Sequence, residues 1–354
     1  MKSILLISNP LFHYRVSIYN YFWEKFQDID IDLQVLTNQI KPDNPHEIRF
    51  KVYREKFSLI QYTSIINEVK PKVIIFFMHL KDWVHLPLLL WSKMKGYKCI
   101  YWTHGANLLD SNNKPKEFLF SIFHYLYDAI ILYSANEKKY IKNCYRRKVF
   151  IANNALNFSD FPKIHASKTK LKKINNYSEL KIVLFVSRIQ PIKRLGDLVG
   201  AADCLDSGII ILIVGPGISR KQQQQIENKE NVVYLGPVYD PVKISKLFKM
   251  ADLFCIPGAI GLSLNQAFYW GLPIITMDVI HGPEIVYLKN EKNGFIVPRG
   301  DIQQLAGKIN YILSDKRVYS SFSKAAREEI MANGTIDNMF QGFKEALKYI
   351  RAIN

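Results

Sequence analysis

The chain has 354 residues, of which 48% are hydrophobic and 22% charged, so it is long enough for two globular domains. This composition excludes a disordered chain, and no apolar stretch reaches the roughly 18 residues that a membrane-spanning helix needs. The net charge of +17 is uneven: residues 1–160 carry 22 basic and 14 acidic side chains, and residues 161–174 carry five lysines and no acid. Charge alone does not distinguish nucleic acid, anionic lipid or a phosphorylated substrate as the partner.

The first half contains six short apolar runs that predict β-strands, with helix-length segments between them. They span residues 4–7, 31–36, 73–78, 99–102, 129–132 and 149–151. This alternation is typical of a parallel sheet covered by helices, the doubly wound α/β arrangement. The first run is too short for a secretory signal and predicts a strand instead.

The second half repeats the scheme. Its predicted strands span residues 182–186, 209–214, 232–235, 253–256, 274–276 and 294–297. We therefore expect two Rossmann-like domains, at 1–160 and 179–336, joined by a polar, lysine-rich linker at 161–178. Apolar spacing in residues 337–354 predicts a final helix.

The scattered cysteines Cys99, Cys144, Cys204 and Cys255 form no CxxC pair and have no histidine at metal-ligand spacing. The sequence therefore predicts neither a disulfide framework nor a zinc site, which favours a reducing, cytosolic setting.

Two cations follow the strand at 182–186, where a helix begins near Leu195. A helix start presents unpaired amides and positive dipole charge, so Arg188 and Lys193 there predict a diphosphate pocket. A second such place follows the strand at 253–256, where Gly261, Leu262 and Ser263 lead into another helix. We interpret both places as parts of one nucleotide site.

Several segments of the second half together resemble the retaining family 4 glycosyltransferases, which have the GT-B fold. The matching segments are 187–194, 213–217, 234–238, 251–257, 267–273 and 284–297. Residues 153–157, Asn-Asn-Ala-Leu-Asn, resemble the landmark that closes the N-terminal domain of that family. The resemblance implies two Rossmann-like domains facing each other across a cleft, with a C-terminal helix returning toward the N-terminal domain.

The same resemblance implies transfer of a sugar from a nucleotide-diphosphate donor with retention of configuration and without a metal. The acceptor would be a glycan or a polyprenyl-diphosphate-linked glycan in O-antigen, capsule or other surface-polysaccharide assembly. Family frequency favours UDP. These functions place the protein in the cytoplasm or at the cytoplasmic face of an inner membrane.

The donor site implied by the resemblance lies in the second half. Its residues are Arg188, Lys193, Gly215, Val238, Gly258, Gly261, Leu262, Ser263, Gln266 and Glu284, with Arg188 and Lys193 also catalytic. Many family members carry two glutamates eight positions apart where this chain has Gly258 and Gln266. An amide can still bond a ribose hydroxyl, whereas glycine offers only backbone groups. Glu284 is either a cleft carboxylate or a cap of the following segment.

The acceptor site implied by the resemblance lies in the first half. Residues 10–16 resemble a Tyr-Arg loop of bacterial members, so His13, Tyr14 and Arg15 are candidate acceptor contacts; an ordinary surface loop explains them equally well. His104 follows a strand where the family places a histidine near the reacting sugar, which makes it a catalytic and acceptor-binding candidate. A buried histidine satisfied by backbone is the alternative.

Asp28, Asp30 and Asp32 form an Asp-X-Asp pattern, the metal motif of the other major transferase fold. The pattern precedes a strand and alternates with isoleucine, which favours an exposed strand entry, so no metal is expected. Stretches 83–98 and 114–127 mix aromatic residues with lysines. They suit either an anionic membrane surface or helix packing against the sheet.

Two rival functions remain at this stage. A basic nucleic-acid-binding protein fits the charge, but no recognition motif is present. A GT-B epimerase or a non-catalytic homologue keeps the fold and changes the activity.

Overall fold

The computed structural model describes residues 2–41, 46–106 and 114–353, and it divides the chain into two compact units. Unit 1 comprises Met1–Asn157 and Ile336–Asn354, and unit 2 comprises Phe158–Thr335. The side chains of Lys114 and Lys116, part of the aromatic and lysine-rich stretch 114–127, lie outside the described residues.

Unit 1 is built on a seven-stranded parallel sheet. Its strands are β1 (Lys2–Ser8), β2 (Ile31–Thr37), β3 (Lys51–Arg54), β4 (Val73–Phe77), β5 (Lys98–Thr103), β6 (Ala129–Leu132) and β7 (Val149–Ile151). Its first four helices are α1 (His13–Gln27), α2 (Leu59–Val69), α3 (His85–Met94) and α4 (Lys114–Leu126). The strand order is β3-β2-β1-β4-β5-β6-β7.

Alternating side chains on β1 show how this sheet is covered. Leu5 and Ile7 pack in a core with residues of α2, α3 and α4, whereas Ile4 and Leu6 pack in another core with residues of α1. Successive side chains of a strand point to opposite faces, so a sheet buried on both faces needs continuous apolar runs.

Unit 2 holds a six-stranded parallel sheet in the order β10-β9-β8-β11-β12-β13. The strands are β8 (Lys181–Val186), β9 (Ile209–Val214), β10 (Val232–Tyr234), β11 (Leu253–Cys255), β12 (Ile274–Met277) and β13 (Gly294–Val297). The helices are α5 (Lys168–Ile174), α6 (Leu195–Ala201), α7 (Arg220–Glu227), α8 (Pro241–Met250), α9 (Ser263–Tyr269), α10 (Ile302–Ser314) and α11 (Lys316–Asn333). In each sheet the order reverses beside its first strand, which is the switch point where such folds bind ligands.

The last helix, α12 (Ile336–Tyr349), belongs to unit 1, as predicted. Phe343 is fully buried and packs edge-on against Trp102, with ring centroids 4.9 Å apart. At Gly342 an added Cβ would lie 2.1 Å from the Ile151 carbonyl oxygen, so only glycine permits this helix to approach β7 so closely.

The predicted α/β fold is confirmed, and each of the twelve predicted runs forms a strand. Strand β3 was missed because Lys51-Val-Tyr-Arg54 is short, charged at both ends and lies at a sheet edge. Edge strands are often charged because this discourages further strand pairing.

The linker prediction for residues 161–178 is wrong. This segment lies within unit 2 and includes α5, whose Leu171 is 4% exposed. Lys168 and Lys172 are not solvated spacers, because both pair with the buried Asp252. Among the described residues, no helix combines the length and apolarity needed to cross a bilayer, and the four cysteines are free.

Candidate functional site

A cavity of about 430 Å³ lies in unit 2, beside the residues that follow β8 and β11. Five of the residues assigned to the donor from sequence line it: Arg188, Lys193, Gly261, Leu262 and Ser263. The carboxyl ends of parallel strands meet at one edge of a sheet, which explains why segments 70 residues apart converge here.

Glycines support the segment that carries Arg188. Gly215 has a φ of 140°, and a Cβ there would lie 1.8 Å from the Ser187 carbonyl oxygen. Nearby, the Ile189 amide donates to the Pro216 carbonyl oxygen at 2.8 Å. Gly215 therefore does not line the cavity, as a donor contact would; it lets the β9 turn pack directly under the Arg188 segment.

The charges at the cavity are two cations and one nearby carboxylate. Arg188 is exposed, and the Lys193 ammonium donates a hydrogen bond to the Ala259 carbonyl oxygen. Burial lowers the pKa of Lys193; the buried Glu284 carboxylate opposes this, and the Arg188 guanidinium adds to it. An anion between the two cations would relieve their repulsion.

The amides of Gly261, Leu262 and Ser263 donate no hydrogen bond among the described residues. His281, which was not predicted as a site residue, holds this segment in place. Its Nδ1 accepts from the Ile260 amide at 3.3 Å, and its Nε2 donates to the Met277 carbonyl oxygen at 2.9 Å. Burial lowers the pKa of His281, in keeping with a neutral ring that accepts at Nδ1. Nothing in the local sequence distinguishes this role.

Gly258 is not among the residues that line the cavity, and its predicted donor contact stays a prediction. Its amide donates to the Lys193 carbonyl oxygen at 3.1 Å, and its carbonyl accepts from Thr276 Oγ1 at 3.3 Å. An added Cβ would lie 2.0 Å from the Ile192 carbonyl oxygen. In this structure no side chain fits at position 258 without a shift of that backbone.

Two further donor assignments lie outside the cavity wall. Val238 is half-buried against the unit 2 core, and Gln266 is half-buried on α9. Their proposed contacts with the base and the ribose stay predictions.

In unit 1, His104 is held by a carboxylate that the sequence analysis missed. His104 Nδ1 lies 2.6 Å from Glu137 Oε1, and the side chain of Glu137 is 5% exposed. The other carboxylate oxygen accepts from the amides of Tyr133 and Ser134, at 2.8 and 3.1 Å. The Ser134-x-x-Glu137 capping-box spacing is the sequence signal that marks this carboxylate. Among the described residues, the other ring nitrogen, Nε2, forms no hydrogen bond.

Arg15 lies in a cage of aromatic rings beside His104. Its guanidinium stacks 4.6 Å from both Phe77 and Trp102, and Nη2 donates to the Tyr133 hydroxyl at 3.1 Å. Arg15 is 6% exposed, and within the described chain Nη1 has no hydrogen-bond partner. The Tyr133 ring also lies 4.6 Å from the ring of His104. Arg15, Tyr133, His104 and Glu137 therefore form one group, which we call the His104 cluster.

The placement of His13, Tyr14 and Arg15 on a loop is wrong. They form the first turn of α1, where His13 is exposed and its ring contacts Tyr14 edge-on at 5.7 Å. Turning Arg15 inward on a helix buries its charge among aromatic rings, which stabilise a cation through their faces.

The three aspartates considered for metal binding lie between the end of α1 and the first residues of β2, and the expectation that they bind no metal stays a prediction. Asp28 ends α1 and pairs with Lys25, and Asp32 on β2 accepts from Gln34. Across the described ranges, no group of three His, Cys, Asp or Glu side chains is placed to hold a metal ion.

Residues 167–329, which include both cations of the unit 2 cavity, match the model of the family "Glycosyl transferases group 1". They are a glycosyl transferases group 1 domain. The chain is 24% identical over 254 residues to a poly(ribitol-phosphate) alpha-N-acetylglucosaminyltransferase of Staphylococcus aureus (strain COL). That match covers 69% of this chain and 49% of the relative, so the chain spans about half of the relative's length.

The similarity to solved structures covers nearly the whole chain and is not limited to the group 1 domain. A glycosyltransferase from Rickettsia africae ESF-5 has a TM-score of 0.77 at 15% identity, with 99% of each chain covered. Anabaena Alr3699/HepE in complex with UDP also has a TM-score of 0.77, at 16% identity, with 98% of this chain and 100% of that chain covered. At these identities the likeness shows the fold, which is GT-B.

Proposed function

We propose that this protein transfers a sugar from a UDP-linked donor to a glycan or lipid-linked acceptor, with retention of anomeric configuration and without a metal. The observation that carries the proposal is the convergence of Arg188 and Lys193 with the amides of Gly261 to Ser263 on one cavity of a group 1 domain. This combination of fixed cations and amides suits a diphosphate.

The chemistry follows from the charge that develops when the sugar leaves. Cleavage of the glycosidic bond places negative charge on the nucleoside diphosphate, and Arg188 and Lys193 lie at the cavity that would hold it. Removing one such preorganised group typically raises the barrier by about 3 kcal/mol. The leaving phosphate itself takes the proton of the acceptor hydroxyl, so no separate protein base is assigned.

The His104 cluster supports a role in holding the reacting sugar and its acceptor. Glu137 holds Nδ1 of the His104 ring, and Arg15 supplies a buried cation bonded to Tyr133, whose ring lies next to His104. We assign sugar contact to His104 and acceptor contact to Arg15, with Tyr14 and His13 on the same helix turn.

UDP is supported by the structural neighbour solved with UDP, and a polymeric acceptor is supported by the S. aureus relative, which is named for poly(ribitol-phosphate). We also propose that a polyprenyl-diphosphate-linked acceptor is met at the cytoplasmic face of a membrane. Exposed Trp83 and Phe118 beside the basic helices of unit 1 suit an anionic lipid surface.

Thermal unfolding with UDP, GDP, dTDP and CMP tests the donor site. We expect UDP to raise the unfolding temperature most, because it is the proposed donor nucleotide. A ligand at 100 times its Kd stabilises a protein by about 2.7 kcal/mol, which is a measurable shift. Arg188→Ala and Lys193→Ala should abolish this protection and lower UDP-sugar turnover by about 100-fold or more. Turnover should persist in EDTA.

Lys243→Ala is the matched control, because Lys243 is an exposed lysine of unit 2 outside the cavity. The thermal protection of this variant by UDP and its turnover of UDP-sugar should equal those of the wild type. Normal protection by UDP in both the Arg188 and Lys193 variants would contradict the proposed diphosphate site. Turnover that strictly requires manganese would contradict the metal-free mechanism.

A further inference from the structure

A second cavity, of about 450 Å³, lies in unit 1 where no function has been assigned. It is formed by residues after β5, by α4, and by the short 3₁₀ segments Ala135–Tyr140 and Asn143–Lys148. Three cations line it, Lys139, Lys142 and Arg146, against one carboxylate, Glu117. The positive excess predicts an anionic ligand.

A buried histidine in the wall adds a second, independent sign of a ligand. His124 is 1% exposed, and in the part of the chain that the structure describes its Nε2 has no hydrogen-bond partner. The ring bonds the backbone of Gly105, and burial, with Lys148 and Lys142, lowers the pKa of His124 to about 4. A neutral ring that donates from Nδ1 offers Nε2 as an acceptor, so the missing partner is a donor such as a hydroxyl group. Buried polar atoms without partners are rare in folded proteins.

The rest of the wall is compatible with a sugar or polyol. Phe120, Tyr140 and Ile141 provide an apolar surface, and Ser121 and Asn143 add polar groups. The cations of the wall suit a phosphate, His124 Nε2 can accept from a hydroxyl group, and the aromatic rings suit a sugar. A phosphorylated sugar or polyol would use all three features.

We propose that this cavity binds a phosphate-bearing, hydroxyl-rich part of the acceptor. The inference rests on the proposed function, since it names the class of acceptor. The segment Ala135–Tyr140 links the cavity to the His104 cluster, because Glu137 holds His104 while Lys139 and Tyr140 line the cavity. His104 also directly precedes Gly105 and Ala106 of the cavity wall. A phosphate bound here would anchor an acceptor beside the reacting histidine.

Calorimetric titration tests the cavity, using the full chain carrying Lys193→Ala so that the unit 2 cavity does not capture the probe. Glycerol 3-phosphate represents a phosphorylated polyol, farnesyl diphosphate a lipid-linked diphosphate, and glycerol the uncharged control. We expect binding of at least one phosphate probe and none of glycerol. Lys142→Ala and Arg146→Ala, each added to the Lys193→Ala chain, should lower the affinity for that probe by about tenfold, which is the effect of losing one charge-assisted contact.

Arg147→Ala is the matched control, because Arg147 lies on the same 3₁₀ segment as Arg146 but does not line the cavity. Its affinity should equal that of the Lys193→Ala parent. A stronger response to farnesyl diphosphate identifies a lipid-linked source, and a stronger response to glycerol 3-phosphate a phosphopolyol. The proposal is overturned if neither probe binds, or if the Lys142 and Arg147 variants weaken binding equally. UDP protection of the unmodified chain, measured in parallel, reports on the proposed function separately.

Discussion

Glu137 decides which nitrogen of His104 carries the proton. Its carboxylate only accepts hydrogen bonds, so a neutral His104 must hold its proton on Nδ1 and present a lone pair at Nε2. Glu137 contacts His104 and two backbone amides, so we assign it a positioning role that acts through His104.

Glu137→Gln should invert this arrangement. The amide oxygen can still accept from the backbone amides of Tyr133 and Ser134, while the amide nitrogen donates to His104 Nδ1 and moves the ring proton to Nε2. We expect kcat to fall by about 10 to 100-fold with little change in the donor KM. Nitrogen-15 NMR of the ring, assigned with His104→Gln, reports the tautomer directly.

Thermal unfolding of the same variant serves as the control, since a purely structural role of Glu137 would lower stability without a selective effect on kcat. A variant that shows the inverted tautomer and keeps its full kcat would contradict the positioning role.

The residues of the site differ in how far the sequence could predict them. Arg188 and Lys193 were predictable, because a strand followed by cations and a helix start is a local pattern. The Arg15–Tyr133 contact joins residues 118 positions apart, and no local pattern contains it. The packing of Gly258 was not predictable, because it depends on the backbone of Ile192, which lies against it from another segment.

At the scale of elements, α5 shows how a charged segment becomes part of a core. Lys168 and Lys172 contact Asp252 at 2.8 and 2.6 Å, and the same carboxylate accepts from the Ile182 amide at 2.7 Å. Asp252 therefore ties α5 to the start of β8.

Asp252→Asn should reduce the free energy of unfolding by about 3 kcal/mol at pH 7, because it leaves buried Lys172 without its partner charge. Burial raises the pKa of Asp252, but the combined effect of Lys168 and Lys172 is a larger decrease. The pKa of Asp252 therefore lies below the ordinary value. The stabilisation is therefore present above the ordinary aspartate range and is lost as pH falls through the depressed pKa. Urea unfolding at several pH values measures it, and the difference from wild type should shrink in acid.

Glu328→Gln is a control for this prediction, since Glu328 pairs with Lys324 on the surface of α11. Exposed pairs contribute about 0 to 1 kcal/mol, so this variant should be nearly neutral. An equal loss in both variants, or a loss at Asp252 that does not change with pH, would show that the buried ion pair is not the cause.

At the scale of the whole molecule, the proposed membrane attachment draws on two features, the net charge of +17 and the exposed apolar residues of unit 1. Trp83 is 63% exposed and Phe118 on α4 is 68% exposed. Part of the neighbouring positive charge is already neutralised, because Lys93 and Lys98 both pair with Asp128, at 2.8 and 3.7 Å. We therefore propose that membrane attachment by this unit uses inserted aromatic rings as well as charge.

We predict that the protein sediments with vesicles containing phosphatidylglycerol and not with neutral phosphatidylcholine vesicles, and that salt weakens the binding. Trp83→Ser combined with Phe118→Ser should reduce the bound fraction several-fold. Tyr239→Ser, which removes an exposed aromatic ring from unit 2, should have no effect. Equal binding to neutral vesicles, or equal loss in the Tyr239 variant, would contradict attachment through unit 1.

The sequence by itself determined the strands of the two parallel sheets, the presence of a final helix, and the pair of cations after β8. These features are written in local spacing, because strand-length apolar runs, helix periodicity and a cation-bearing helix start each involve neighbouring residues. Only the tertiary structure decided that α5 belongs to unit 2, that Arg15 is buried among rings and that Glu137 holds His104. Each of these depends on side chains that meet across the fold, where burial and ion pairing override what a charged residue does in isolation.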